Sequence, residues 1–561
     1  MKRRLTIVLS VALAAVLALS CWGCAPKVDV AEEAATGRPP DSTATVPTSG
    51  NTALPPSSLY EGEFSESYEL WGDFNTEEYS ALTENGFLSV ATNPTSTFSS
   101  SVDTASYANL RRMINSGYDL KSIPSGAIRT EEFLNYFNYD FVKPSDGDAF
   151  AISVQIADCP WNKDTRLMIV GLQAQDFETA TAAAGVNAEL GSNLVFLIDV
   201  SGSMNSADKL PLLKESFSYL VDQLNPNDRV SIVTYAGSDR VVLEGVYASE
   251  KKTILKALEG LQSGGSTAGA KGLTRAYDIA GKYYIEGGNN RIILASDGDL
   301  NVGISSESEL HDFVSEKRAS GIYLSVLGFG TGNYKDNKMK TVAQYGNGTY
   351  YYIDCIEEAI KVFGEDLSAT LFSVADDVKV EVEFNPAYIK GYRLIGYESR
   401  LMSHEDFTND KVDAAEVGAG HQVIVAYEIV MADSAFEIGG APLKYQGQGA
   451  GVGSGEGVGA GNGAGVENGE WLTLALRYKD PGATESKLRE RAVGKAAYVS
   501  EPNEDWIFAS AVIEFCMVVS QSDYVGTATL QGAIERAQAG EKSDPYRTEF
   551  ISLAQKLAYR D

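Results

Sequence analysis

Residues Asn193 to Met204 read Asn-Leu-Val-Phe-Leu-Ile-Asp-Val-Ser-Gly-Ser-Met, an apolar run that stops at Asp199, Ser201 and Ser203. An unbroken run of this kind is a strand buried on both faces, as in a parallel sheet covered by helices. In open sheets of that type, ligands bind beyond the carboxyl ends of the strands. One carboxylate and two hydroxyls gathered there are hard oxygen donors, suited to a hard divalent cation, Mg²⁺ first. A simpler role is also open: Ser203 or Asn205 capping a helix that starts near Ala207.

Two later segments strengthen the metal reading. Gly264-Gly265-Ser266-Thr267 precedes a helical pattern from Ala270 to Tyr284 and offers a further hydroxyl on Thr267. Arg291-Ile-Ile-Leu-Ala-Ser-Asp297-Gly298 is a second apolar strand ending in a carboxylate. Three separate strand or loop ends thus deliver Asp, Ser, Ser, Thr and Asp in order. Gly202, Gly265 and Gly298 suit sharp loops that bring backbone close to an ion.

This ordered set resembles the von Willebrand factor type A (VWA) domain and its metal-ion-dependent adhesion site, over about Asn193 to Ser368. The resemblance implies that Asp199, Ser201, Ser203, Thr267 and Asp297 hold the metal, the hydroxyls directly and the carboxylates directly or through water. It implies Mg²⁺ (or Mn²⁺ or Ca²⁺) as cofactor, and a protein ligand that reaches the ion with an acidic side chain. Neutral hydroxyls leave the ion electrophilic, which suits binding; no nucleophile or proton shuttle is part of the set.

The periodicity supports a doubly wound α/β fold. Further strands are expected at Arg229 to Tyr235, Arg240 to Val246, Arg291 to Ala295 and Ile322 to Phe329. Helices are expected at Ala207 to Leu224, Lys251 to Leu261, Ala268 to Tyr284, Glu307 to Ser320 and Ile356 to Leu371. Leu212, Leu213, Phe217 and Leu220 keep helical spacing and read as core.

The N-terminus indicates where such a site would work. Lys2, Arg3 and Arg4 precede an apolar stretch from Leu5 to Leu19, followed by Ser20-Cys21. That is a secretory signal, shorter than the roughly 20 apolar residues of a membrane span. It resembles a bacterial lipoprotein signal, which implies lipidation of Cys21 at the cell membrane, outside the cytoplasm; Cys24 is the rival cysteine. Ala25 to Ser58 is rich in Pro, Thr, Ser, Ala and Gly and reads as a disordered tether. Cleavage before Cys21 removes three basic residues and no acids, taking the formal charge from −30 to −33. So acidic a chain disfavours nucleic acid and anionic lipid as electrostatic partners. Cys159, Cys355 and Cys516 make no disulfide framework; one pair or three buried thiols both fit.

Upstream, Asn93 to Ser99, Val102 to Met113 and Ile128 to Asp140 form a distinctive block. Thr104 or Ser106 is placed to cap a helix from Tyr107 to Ile114, and Ile128 with Glu132 to Phe137 reads as a second. Asp103 has no evident partner and reads as a cap or buried polar group. Phe133, Tyr136, Phe137, Tyr139 and Phe141 read as packing against a neighbouring sheet. The block resembles the N-terminal module of a family of bacterial VWA-domain proteins, and Tyr478 to Pro481 with Trp506 to Gln521 resembles its C-terminal module.

Strands are expected on both flanks: Phe150 to Ala157 and Thr165 to Leu172 before the VWA-like segment, and Asp377 to Phe384, Tyr392 to Tyr397, His421 to Met431 and Trp471 to Tyr478 after it. We expect one β-sandwich built from both flanks with the α/β domain inserted in it. Gln446 to Gly469 lacks phosphate-loop spacing and reads as a flexible insertion between paired strands. Glu501 to Arg560 is helical by pattern, a small bundle on the sandwich; Ile507, Ala511, Phe515 and Val518 share one face. The expected boundaries are 1–20 signal, 21–58 lipidated cysteine and tether, 90–180 N-terminal module, 193–370 VWA domain and 371–561 C-terminal module.

Other chemistries fit poorly. Asp297-Gly-Asp299-Leu-Asn301 begins like a calcium loop, but Ser308 stands where a bidentate Glu belongs; Asp299 and Asn301 fit the rim of the metal site instead. With only His311, His404 and His421, and no His-Glu-x-x-His or Gly-x-Ser-x-Gly, a hydrolase is disfavoured. The expected function is a surface lipoprotein that binds a protein ligand through a metal. A structural or signalling envelope protein without metal-dependent binding, or a metal-assisted hydrolase, are the alternatives.

Overall fold

A computed structural model describes residues 76–561, apart from 146, 177–190, 266–269, 299–312, 315, 318–319, 333, 367–368, 370 and 440–468. Cys21, the tether, Thr267, Asp299, Asn301, His311 and nearly all of the glycine-rich insertion therefore lie outside the described residues.

The first flank contributes β1 (Leu88–Ser89), β2 (Thr95–Ser99), α1 (Ala105–Asn115), α2 (Thr130–Leu134), β3 (Phe150–Asp158) and β4 (Arg166–Ala174). Thr104 takes the N-cap position of α1 without a side-chain bond. Ser106 lies inside the helix, where its hydroxyl donates to Ala127 O and accepts from the Arg129 N–H.

The central domain comprises β5 (Ser192–Asp199), α3 (Leu210–Gln223), β6 (Arg229–Tyr235), β7 (Asp239–Tyr247), α4 (Lys251–Glu259), α5 (Ala270–Lys282), β8 (Asn289–Ser296), β9 (Tyr323–Phe329), α6 (Asp336–Tyr345), β10 (Tyr350–Ile353) and α7 (Ile356–Ile360), which continues as a π-helical turn, Lys361–Glu365. Its strands run in the order β10-β9-β8-β5-β6-β7. All neighbours are parallel except β7, which returns antiparallel on β6. Only Ala236 to Ser238 join that pair, and so short a link cannot make a parallel crossover. Strand order reverses between β5 and β8, so the crevice at their carboxyl ends is the topological switch point of the sheet. Leu213, Phe217 and Leu220 are buried under one face as expected, whereas Leu212 is only half-buried.

The second flank contributes β11 (Ser373–Phe384), β12 (Ile389–Ile395), β13 (Leu401–Met402), α8 (His404–Thr408), β14 (Ala415–Gly418), β15 (Gln422–Met431), β16 (Glu470–Lys479) and β17 (Ser486–Gly494). Two antiparallel sheets result, ordered β1-β12-β15-β4-β3 and β13-β2-β11-β16-β17, with β14 beside β11. Each mixes strands from before and after the central domain, so that domain is inserted into one sandwich. Phe98, Ile152, Val170, Val380, Val382 and Leu474 meet in the shared core. The strands that bracket the glycine-rich insertion, β15 and β16, belong to opposite sheets and are not paired. The insertion therefore connects the two layers of the sandwich, contrary to the expectation of a hairpin.

Helices α9 (Glu504–Ser520), α10 (Leu530–Ala539) and α11 (Pro545–Arg560) close the chain. They share a core with α1, α2 and the outer face of β4 and β15, including Ile169 and Ile424. Phe137 packs edge-on against Phe508 and Phe550, with ring centroids 4.9 and 5.7 Å apart. The upstream aromatics thus fill the space between the sheet and the C-terminal helices. Cys159 and Cys516 are buried free thiols, and Cys355 is a half-buried one. Among the described residues no helix is long and apolar enough to cross a membrane.

The central domain is tied to its surroundings by buried ion pairs. Arg111 of α1 reaches buried Glu358 of α7 at 2.7 Å and also the partly exposed Glu549 of α11 at 3.1 Å. Lys340 of α6 meets Glu132 of α2 at 2.9 Å. Asp103 does have partners: its carboxylate accepts from the Tyr350 N–H at 2.9 Å and pairs with Arg400 at 2.8 Å. Sequence spacing hid both, because they lie on β10 and just before β13.

Candidate functional site

Asp199 ends β5, Asp297 directly follows β8, and both are buried at the switch point. The Asp199 carboxylate is held from two sides. Oδ1 accepts from the Ser201 N–H at 2.8 Å, and Oδ2 accepts from the Ser296 hydroxyl at 3.1 Å. Ser296 Oγ in turn accepts from the Gly298 N–H at 3.1 Å. Burial pushes the Asp199 carboxyl up to about 6 against these bonds, and the neighbouring Asp297 adds to the rise.

The Ser201 and Ser203 hydroxyls face one another at 3.0 Å. Ser201 precedes and Ser203 lies in a 3₁₀ turn, Gly202–Asn205, and neither Ser203 nor Asn205 caps the helix that follows. That helix begins only at Leu210, and its N-cap position, Lys209, makes no side-chain cap bond. The capping role is therefore not the one these serines fill.

The loop leading to Thr267 is fastened to the serine loop. The Gly202 N–H donates to Gly265 O at 3.1 Å and the Gly264 N–H to Val200 O at 2.8 Å. Gly265 and Gly298 have positive φ, 89° and 99°, which side-chain-bearing residues rarely adopt. Gly202 is not among the positive-φ glycines.

Three residues at this site were not singled out from sequence. Lys209 extends its ammonium to Asp297 Oδ2 at 3.0 Å, with both side chains buried. Ser296 supports Asp199 as described. Tyr235 presents a buried hydroxyl with no hydrogen-bond partner, close enough to Asp199 that, after burial itself, the carboxylate charge helps to push the phenol well above its ordinary range. Lys209 is the only basic residue between Asn193 and Leu213, a signal the sequence did carry.

The two described histidines lie on the sandwich. His404 is exposed and 2.8 Å from Glu381, and burial lowers His421 to about 4. Among the described residues no three His, Cys, Asp or Glu side chains are grouped so as to hold a metal. The two-carboxylate, hydroxyl-rich set is a site of another kind.

Comparison with known proteins agrees with this architecture. The von Willebrand factor type A domain family matches residues 193–365. A von Willebrand factor family matches 73–169, and the C-terminal family of uncharacterized protein YfbK matches 369–559. YfbK of Escherichia coli (strain K12) is 38% identical over 488 residues, 85% of this chain and 80% of that one. The chain belongs to the YfbK family. Its fold is that of a VWA-domain protein, a class made up in general of adhesion or interaction modules. Among solved structures, a von Willebrand factor type A protein from Catenulispora acidiphila is 16% identical, with 74% of this chain and 97% of that chain covered and a TM-score of 0.40. Proximal thread matrix protein 1 of the mussel byssus, in a form with a zinc-occupied MIDAS motif, is 23% identical over 31% of this chain and 44% of its own, with a TM-score of 0.26.

Proposed function

We propose that this YfbK-family protein is a lipid-anchored surface protein that binds a protein ligand through a divalent cation held by Asp199, Ser201, Ser203, Thr267 and Asp297. The observation that carries the reading is the pair of serine hydroxyls 3.0 Å apart beside two buried carboxylates at the sheet's switch point. The donor set fits the ion. It is all oxygen and carries two formal charges, and a hard cation that keeps part of its water shell suits it. The buried carboxylate of Asp199 and the unpartnered Tyr235 hydroxyl beside it are polar groups that a cation and its waters would satisfy.

When bound, the cation would supply an electrophilic position for an outside carboxylate. The chain's own groups do the rest. The Ser201 N–H and Ser296 hydroxyl orient Asp199, and the Gly202–Gly265 and Gly264–Val200 bonds hold the two hydroxyl-bearing loops in register. Cys21 would anchor the chain to the membrane, and the tether would hold the site away from it.

The test is calorimetric titration of Mg²⁺ into the mature chain at high salt, which mutes the acidic background. Saturable one-site binding that disappears in Ser201→Ala/Ser203→Ala is the expected result. Equal behaviour of the two proteins would remove the metal-dependent reading.

A further inference from the structure

The lysine at the site is built in with some care. Its ammonium and the Asp297 carboxylate have side-chain exposures of 8% and 0% and stand 3.0 Å apart. Its stem crosses Gly330 so closely that a Cβ there would fall 2.2, 2.3 and 2.7 Å from Lys209 Cγ, Cε and Cδ. Gly330 has φ +77°, and its carbonyl accepts from the Tyr352 hydroxyl at 2.7 Å, so the backbone under the stem is fixed. The base of the side chain is fixed too. The Lys209 N–H donates to Ser206 O at 3.1 Å, and neighbouring Asp208 accepts from Thr331 Oγ1 at 3.2 Å.

We propose that Lys209 is a resident counter-cation of the metal site, which weakens the hold on the divalent ion and leaves the loaded site net positive towards an anionic ligand. The inference rests on the metal-binding reading above and adds a determinant to it. Two carboxylates and three neutral hydroxyls around a divalent ion would make an electroneutral centre. The ammonium raises that centre to one net positive charge, inside a buried setting where charge is poorly screened. The same ammonium repels the incoming ion, so the site exchanges metal more readily than two carboxylates alone would dictate. A buried Lys–Asp pair also has a plain structural use, since an unpartnered Asp297 would be costly. The two roles differ in what they do to metal affinity.

The experiment is Mg²⁺ calorimetry on the full mature chain, comparing wild type with Lys209→Met, Lys209→Gln, Lys209→Arg and Ser201→Ala/Ser203→Ala, each with a melting curve in chelator and in saturating Mg²⁺. The neutral variants are expected to bind Mg²⁺ about tenfold tighter or more, a change of about 1.4 kcal/mol or more. Lys209→Arg, which keeps the charge, is expected to stay near wild type. The neutral variants should melt lower in chelator and regain the difference in Mg²⁺. Neutral variants with unchanged affinity, and with the same loss of stability with and without Mg²⁺, would overturn the proposal and leave a structural ion pair. If wild type itself shows no saturable binding, or Ser201→Ala/Ser203→Ala retains it, the metal reading fails first and takes the Lys209 proposal with it. If Lys209→Met does not fold, the comparison of Lys209→Gln with Lys209→Arg decides the matter.

Discussion

Arg129 makes a two-pronged pair with Asp336, Nη1 to Oδ2 at 2.6 Å and Nη2 to Oδ1 at 3.0 Å, with both side chains buried. One partner precedes α2 in the first flank and the other opens α6 of the central domain. The inserted domain is therefore held at its side as well as at its two chain connections. Arg129→Ala would leave Asp336 and Glu132 buried without their shared cation. Breaking a buried pair of this kind typically costs about 3–5 kcal/mol. The Tyr350 hydroxyl on Asp336 and Lys340 on Glu132 remain, which places the expected loss at the lower end, about 3 kcal/mol. Denaturant unfolding of Arg129→Ala against wild type checks it; a change within about 0.5 kcal/mol would show that the pair carries no net stability.

The same cluster predicts an acid limit. Burial alone would raise the Glu132 carboxyl, but Arg129 and Lys340 outweigh it and hold the group at about 2, below its ordinary 4.5. A depressed carboxylate contributes stability that is present above its unfolded value and is lost as the pH falls towards its folded value. The window is therefore about pH 4.5 down to about 2. Across it the wild type should lose more stability than Glu132→Gln, which has no proton to take up there. Parallel slopes for the two proteins over that range would remove Glu132 as a source of the acid sensitivity.

Gly330 offers a test that is independent of any metal. Alanine there must adopt φ +77° and place its methyl within 2.2 Å of the Lys209 stem. Strain at a positive-φ position costs of order 1–3 kcal/mol, and displacing a buried lysine adds to it. Gly330→Ala is therefore expected to be destabilised by about 2–4 kcal/mol. Gly332, two residues on, also has positive φ, 83°, but has open space around it. Gly332→Ala bears the backbone strain alone and should lose less. Equal losses at the two positions would mean that contact with Lys209 adds nothing.

What the sequence made legible, and what it hid, follows from how local each signal is. Strand β11 alternates Val378, Val380, Val382 and Phe384 into the sandwich core, and the alternation is visible without any partner. The apolar runs of β5 and β8 are equally self-evident. Strand β17, Ser-Lys-Leu-Arg-Glu-Arg-Ala-Val-Gly, is mostly exposed and, among the described residues, pairs with β16 alone, so no continuous buried face marks it. Strand β2, Thr-Ser-Thr-Phe-Ser, is short and polar and is a strand because β11 pairs with it. Helix α6, Asp-Asn-Lys-Met-Lys-Thr-Val-Ala-Gln-Tyr, buries Asp336 against Arg129, just before α2, and Lys340 against Glu132 of α2, so its inward face does not look apolar. At the site, motif spacing named the oxygen donors, whereas Lys209 acquires its meaning from Asp297, 88 residues away. A charge whose partner is that remote leaves no periodic trace.

The membrane anchor is the part of the proposal that rests on sequence alone, and it gives a direct prediction. Cleavage before Cys21 would leave a formal charge of −33, which disfavours electrostatic attraction to anionic lipid. No helix among the described residues is fit to span a bilayer. On the proposed reading, membrane association depends on acyl chains at one cysteine, each buried CH₂ contributing about 0.8 kcal/mol. Cys21→Ser, expressed in a bacterium that processes lipoproteins, is expected to leave the membrane fraction or to remain as the uncleaved precursor. Cys24→Ser should fractionate with wild type and incorporate labelled fatty acid as wild type does. Labelling that survives Cys21→Ser and disappears in Cys24→Ser would move the anchor three residues downstream. Labelling in neither wild type nor variant would remove lipidation, and a chain still sedimenting with membranes would then be held by the uncleaved Leu5 to Leu19 stretch or by a protein partner.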